Sequence, residues 1–141
     1  MTMKMDVLVV EDDSSVGPLI KKTITDWGHE VELLPDGMEA LERTRQKRFD
    51  LAFVDIFVRD QKGRRLIPMI KALQPEIHIV AMTDYNFRDL EAEVRKEGIV
   101  FYMIKPFNPD EMKEILWHIS KKKRKEAKKE WLNQQKQWTR R

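Results

Sequence analysis

Four short apolar runs in this chain each end in a residue able to do chemistry. Val7-Leu8-Val9-Val10 runs into Glu11, Asp12 and Asp13, and Leu51-Ala52-Phe53-Val54 runs into Asp55. Ile77 to Met82 ends at Thr83, and Val100 to Ile104 ends at Lys105. Short apolar runs such as Val7 to Val10 read as strands buried on both faces, the mark of a parallel sheet. Val31 to Leu34 is a weaker fifth strand, closed by Pro35-Asp36-Gly37.

Helical spacing fills the intervals. Ser14 and Ser15 are candidate N-caps for a first helix, with Pro18 in its first turn, where a missing N–H costs little. Leu19, Ile20, Ile24 and Trp27 form its apolar stripe, and Gly28 stops it. Met38, Leu41 and Thr44 mark a second helix, and Leu66, Ile67, Ile70 and Leu73 a third. Leu90 and Val94 mark a fourth, closed by Gly98. A fifth starts near Asn108, with Pro109 at the favoured first helical position. Five strands alternating with five helices predict right-handed crossovers and a three-layer α/β fold with a covered parallel sheet.

In such sheets ligands bind at the C-terminal strand edge. Glu11, Asp12, Asp55, Thr83 and Lys105 all belong to that edge. Three carboxylates converging there repel one another unless a cation neutralises them. All-oxygen donors suit a hard cation, Mg²⁺ or Mn²⁺, with water completing the shell. Lys105 adds a fixed positive charge and Thr83 a hydroxyl. Cation, ammonium and hydroxyl together match the three terminal oxygens of a phosphoryl group carried on a carboxylate. For Asp13 the plainer role of capping the next helix is preferred.

These residues, with the motifs VLVVEDD, LAFVD, PDGMEALE, VAMT and GIVFYMIKPF and the glycine at position 63, resemble those of the bacterial two-component response-regulator receiver domain, the chemotaxis-type family. The resemblance covers residues 4 to 119. It implies a flavodoxin-like, doubly wound, five-stranded parallel sheet of order 2-1-3-4-5. It implies that Asp55 is the phospho-acceptor, that Asp12 binds Mg²⁺ directly and Glu11 through water, and that the backbone carbonyl of Phe57 is a further ligand. Lys105 would pair with the phosphoryl group, Thr83 would hydrogen-bond it, and Tyr102 would be the aromatic that turns inward when Thr83 moves. Lys105-Pro106 would be a cis peptide. The donor would be a histidine kinase or a phosphotransfer protein, and the only catalysis would be self-phosphorylation from that donor and slow autodephosphorylation. His29, His78 and His118 are scattered and read as structural.

The chain departs from the family pattern at Arg59, where proline is usual, and at Asp84, where a small residue is usual. A carboxylate at Asp84 would crowd the phosphoryl entrance and repel a dianion. Phe57 and Tyr85, each two residues beyond Asp55 and Thr83, would exclude the attacking water. A degenerate receiver serving as a phosphorylation-independent scaffold is the alternative these departures allow. A phosphatase of the haloacid-dehalogenase type is disfavoured, because Phe57 stands where its second, acid-supplying Asp belongs.

Charge divides the chain in two. From Ser120 to Arg141 there are ten Lys/Arg and two Glu, a net of +8, against −5 for the remainder. The basic balance therefore belongs to the tail and does not make the whole chain a nucleic-acid binder. The expected division is a receiver over 1–119 and a basic helical extension over 120–141, too short for a DNA-reading domain. The fifth helix is expected to run from Pro109 toward Trp138, roughly 45 Å, with a distal half that outreaches its own body. Trp117, Arg124, Trp131 and Trp138 recur every seven residues, but most other seam positions are polar, a poor coiled coil. A solvated helix, self-association or protein docking, contact with acidic partners including nucleic-acid phosphate, and an interfacial membrane helix all remain open for it. Self-association through the fourth helix, fifth strand and fifth helix is a further reading. Cysteine is absent, which rules out disulfides and thiolate sites. With no apolar run of about 20 residues and no leader-like start, the expected compartment is the cytoplasm.

Overall fold

The computed structural model describes residues 3–58 and 63–139. Five strands, β1 (Asp6–Val10), β2 (Glu30–Leu34), β3 (Leu51–Asp55), β4 (His78–Thr83) and β5 (Phe101–Ile104), form one sheet of order β2-β1-β3-β4-β5. All pairings are parallel, with Val10 opposite Val54 and Asp55 opposite Met82. Five helices alternate with them: α1 (Val16–Asp26), α2 (Gly37–Gln46), α3 (Gly63–Leu73), α4 (Leu90–Arg95) and α5 (Pro109–Thr139).

The interiors of β1, β3 and β4 are apolar because successive side chains feed two cores, while the edge strand β2 keeps Glu30 and Glu32. Leu8, Val10, Ala52, Val54, Ile79 and Ala81 pack with α2, α3 and Val94 of α4. The alternate residues Val7, Val9, Leu51, Phe53, Val80 and Met82 pack with Ile20 and Ile24 of α1 and Met112, Ile115, Leu116 and Ile119 of α5. A period of two in the strands thus meets a period of 3.6 in the helices on each face.

Some expected helix-core residues are exposed. Leu19, Trp27, Met38 and Leu73 lie outside the cores. Trp27 instead carries the Lys113 ammonium 4.7 Å from its ring centre, joining α1 to α5 by a cation–π contact. Gly17 of α1 and Ala40 of α2 are buried instead, small residues that let each helix lie close to its own face of the sheet. At the start of α1 Ser15 takes the N-cap position without a side-chain cap bond, and the capping expected of Asp13 is found: its carboxylate accepts from Ser15 N, Ser15 Oγ and Val16 N. Those donors hold its pKa down at about 2. Asp36 caps α2 in the same way, through Met38 N and Glu39 N.

His29 fastens the α1–β2 turn to the start of β1. It is 6% exposed, and its Nδ1 accepts the Met5 N–H at 3.0 Å. Burial lowers its pKa, because a protonated ring would lose both hydration and that acceptor. The unfolded chain takes up a proton near the ordinary histidine value while the folded chain resists it. This contribution is therefore present above about pH 6.5 and is lost progressively as pH falls below that value toward the lowered folded pKa. The stability difference between the wild type and His29→Gln, from urea midpoints at pH 7.5 and 5, is expected to shrink at the lower pH. An unchanged difference would refute the assignment.

α5 stays fastened to the body as far as Lys123. Ser120 Oγ donates to Met3 O, and Lys123 Nζ donates to Lys4 O and to Asp50 Oδ2. From Arg124 to Trp138 every residue is exposed, as the length argument requires. No helix among the described residues is long and apolar enough to cross a membrane.

Candidate functional site

The C-terminal ends of β1, β3, β4 and β5 bring Glu11, Asp12, Asp55, Thr83 and Lys105 to one edge. Glu11 follows β1 immediately, and its backbone N–H is held by Leu34 O at the end of β2. Asp55 closes the central strand, with its Oδ1 accepting from Phe57 N at 2.9 Å. Lys105 follows β5 through a backbone bond to Thr83 O at 2.8 Å, and the Lys105-Pro106 peptide is cis. Glu11, Asp55, Thr83 and Lys105 are all buried.

One ammonium sits among the carboxylates. Lys105 Nζ donates to Glu11 Oε1, and to Asp55 Oδ2 at 3.2 Å. Asp84 Oδ2 reaches the same nitrogen at 3.5 Å. Desolvation works against the Lys105 charge, but the Glu11 hydrogen bond and the charges of Asp55 and Glu11 outweigh it and raise its pKa. Glu11 is pushed up to about 7, first by burial and then by its proximity to Asp55. Two buried carboxylates share a single ammonium, which favours the neutral form of Glu11.

The donor set fits a hard divalent cation. One oxygen each from Glu11, Asp12 and Asp55 lie within 4.8 Å of one another. Opposite oxygens in an octahedral Mg²⁺ shell are separated by roughly 4.2 Å, so small side-chain adjustments suffice. Glu11 Oε2 is buried with no hydrogen-bond partner, a cost that a cation or its bound water would relieve.

Thr83 is fully buried, but its hydroxyl is turned onto its own loop. Oγ1 donates to Tyr85 O at 2.7 Å and accepts from Tyr85 N at 2.9 Å. Tyr102 is 9% exposed and packs in the core shared with α3 and α4, while its hydroxyl donates to Asn86 Oδ1 at 3.1 Å. Three exposed rings adjoin these loops. Phe57 meets Tyr85 edge-on, with ring centres 5.8 Å apart, and Phe87 stacks on Tyr85 at 6.2 Å. Phe57 and Tyr85 are expected there from the sequence, whereas nothing in it points to Phe87 and Asn86, because loop residues carry no periodicity that reports proximity. Arg59 lies outside the described residues.

The remaining histidines stand apart from the site. His29 is used at β1, His78 starts β4, and His118 meets the Phe101 ring edge-on. A crevice of about 480 Å³ lies at the opposite, N-terminal strand edge, among Phe49, Asp50, Gln74, His78 and Lys123. Its mixed charges lack the convergence seen at the carboxylate cluster.

Known proteins place this arrangement. The response regulator receiver domain model matches residues 7–117. The transcriptional regulatory protein ZraR of Klebsiella oxytoca is 36% identical over 109 residues, 77% of this chain and 25% of ZraR. RprY of Bacteroides fragilis, also a transcriptional regulatory protein, is 29% identical over 131 residues, 90% of this chain and 56% of RprY. The chain thus spans about a quarter of the length of ZraR. A CheY-like response regulator receiver domain protein from Methanospirillum hungatei JF-1 superposes with a TM-score of 0.81 at 26% identity, covering 88% of this chain and 99% of that one. The family match begins inside β1 and ends in α5, so it takes in all five strands and every residue of the cluster. On that ground the chain belongs to the response-regulator receiver-domain family, whose members bind a divalent metal at an acidic pocket and accept a phosphoryl group on an aspartate in phosphorelay signalling.

Proposed function

We propose that Asp55 is the phospho-acceptor of this chain and that Mg²⁺ is its metal, held by Asp12, Asp55 and the Phe57 carbonyl, with Glu11 acting through water. The observation that carries this reading is the placement of Asp55 Oδ2 3.2 Å from buried Lys105 Nζ, beside two further carboxylates. Bound Mg²⁺ would supply charge neutralisation at the phosphoryl oxygens. Asp55 supplies the nucleophilic oxygen, Lys105 holds a terminal phosphoryl oxygen by its ammonium, and Thr83 offers its hydroxyl once freed from Tyr85. The phosphoryl group would come from a histidine kinase or a phosphotransfer protein. Residues 1–119 form the receiver in this reading, and 120–141 a basic helical extension.

The output surface of this reading is the face of α4, β5 and α5. Phosphorylation adds about 1.5 to 2 negative charges at one spot, which draws in Thr83 and Lys105 and repacks that face. α5 continues into the basic extension, so a change there is passed to whatever the extension contacts, a second copy or another protein.

The test is beryllofluoride binding with Mg²⁺, followed by calorimetry. The wild type is expected to bind and Asp55→Asn to lose binding altogether; binding that survives the substitution would sink the reading. A gain in mass by light scattering would assign the output to self-association.

The acyl phosphate is expected to persist. Phe57, Tyr85 and Phe87 form a continuous aromatic group beside Asp55, which restricts the approach of water. Replacing Phe57 and Tyr85 together by alanine should shorten the phosphoryl lifetime several-fold. A wild-type half-life of seconds in Mg²⁺ would contradict this.

A further inference from the structure

Asp84 is the next residue after Thr83, and its side chain is 56% exposed. Its Oδ2 lies 3.5 Å from Lys105 Nζ, an ammonium whose own side chain is 2% exposed. Glu11 and Asp55 approach the same nitrogen from buried positions. An ammonium has three N–H donors. Glu11 and Asp55 accept hydrogen bonds from it and Asp84 lies against the same nitrogen as an ion pair, so an incoming phosphoryl oxygen competes with Asp84 for the remaining donor. Glu11 and Asp55 are held inside the protein. Asp84 is exposed and free to swing into water.

We propose that Asp84 is an affinity-setting residue of the phosphorylation site, a carboxylate that occupies Lys105 until a phosphoryl group expels it. The proposal rests on the reading of Asp55 as acceptor. Two effects act in the same direction. Asp84 pairs with the ammonium that would meet the phosphoryl oxygen, and its negative charge opposes that of the phosphoryl group.

The loop links this to Thr83. The Thr83 hydroxyl is closed onto the N–H and the carbonyl of Tyr85, so Asp84 is the middle residue of a hydrogen-bonded turn. Opening that turn frees the Thr83 hydroxyl and withdraws Asp84 from Lys105 in one movement. The donor that favours the phosphoryl group and the carboxylate that opposes it are therefore exchanged together.

The experiment compares beryllofluoride affinity in saturating Mg²⁺, and the rate of phosphorylation by acetyl phosphate, among wild type, Asp84→Asn, Asp84→Ala and Asp84→Glu, with Asp55→Asn as control. Removing one charge a few ångströms from the anion is expected to tighten beryllofluoride about tenfold in both Asp84→Asn and Asp84→Ala. Asp84→Glu, which keeps the charge, should stay near wild type. Raising the salt should narrow the gap, because an exposed charge is screened. Equal affinities for wild type and Asp84→Asn would overturn the proposal while leaving the acceptor reading intact. So would tightening in Asp84→Ala alone, since that would make bulk and not charge the determinant. Absence of beryllofluoride binding in the wild type and every Asp84 variant would instead remove the acceptor reading, and the proposal with it.

Discussion

Replacing Gly63 by alanine is expected to cost on the order of 3 kcal/mol of stability and to weaken Mg²⁺-dependent beryllofluoride binding at least about tenfold. A Cβ at position 63 would stand 1.7 Å from the Asp55 carbonyl oxygen and 2.8 Å from Ile56 Cα. Neither neighbour is a flexible side-chain tip. Asp55 belongs to the central strand, and the following Ile56 N–H is bonded to Met82 O of β4. The start of α3 must therefore retreat, and it would take with it the Arg64 N–H bond to Ile56 O. The strand end that presents Asp55 and the Phe57 N–H then loses its support. Urea denaturation and calorimetry check both halves. Stability within about 1 kcal/mol of wild type, with unchanged binding, would show that α3 does not buttress the site.

The second large effect is expected at Lys105. Its ammonium is the buried partner of Glu11 and Asp55. Lys105→Met should destabilise the metal-free protein by about 3 kcal/mol, the lower end of the cost of leaving buried charge unpaired. Glu11 limits the loss by holding a proton more firmly than it already does. The penalty should accordingly be smaller at pH 5.5 than at pH 8, because below its raised pKa of about 7 Glu11 takes up a proton and leaves less buried negative charge unpaired. Removal of the positive charge should strengthen Mg²⁺ binding, since the metal becomes the main cation in the cluster. It should weaken beryllofluoride, which loses a donor. Opposite changes in the two affinities, by calorimetry on the same variant, are the signature. Parallel losses would mean that Lys105 only maintains the fold.

Much of this architecture is legible in the chain itself, and the particular residues show why. The runs ending at Glu11, Asp55, Thr83 and Lys105 are apolar on both faces because each strand feeds two cores, Phe53 toward α1 and α5 and Val54 toward the other helices. Burial on both sides leaves few polar residues inside the strands, so the polar residues at their ends are conspicuous. The helices were harder to read. Leu19, Trp27, Met38 and Leu73 obey helical spacing and are exposed, because an amphipathic stripe is wider than the contact that a sheet makes with it. The capping expected of Asp13 is realised, because that carboxylate is placed to accept from both Ser15 N and Val16 N, while Ser15 holds the N-cap position without a side-chain cap bond.

The linear chain by itself determined the strand–helix alternation, the polar residues at the strand ends, and the span of the long basic helix, because burial periodicity and charge are written locally. Only the tertiary structure decided what those ends do to one another. Bringing Glu11, Asp55 and Lys105 together required residues as far as 94 positions apart to meet at one sheet edge. The orphaned Glu11 oxygen, the turn that engages the Thr83 hydroxyl, the Phe57–Tyr85–Phe87 group and the reach of Asp84 to Lys105 all arise from loops. Loop residues carry no repeat that encodes their neighbours, and distances of a few ångströms between charges are set only when the strands that carry them are in register.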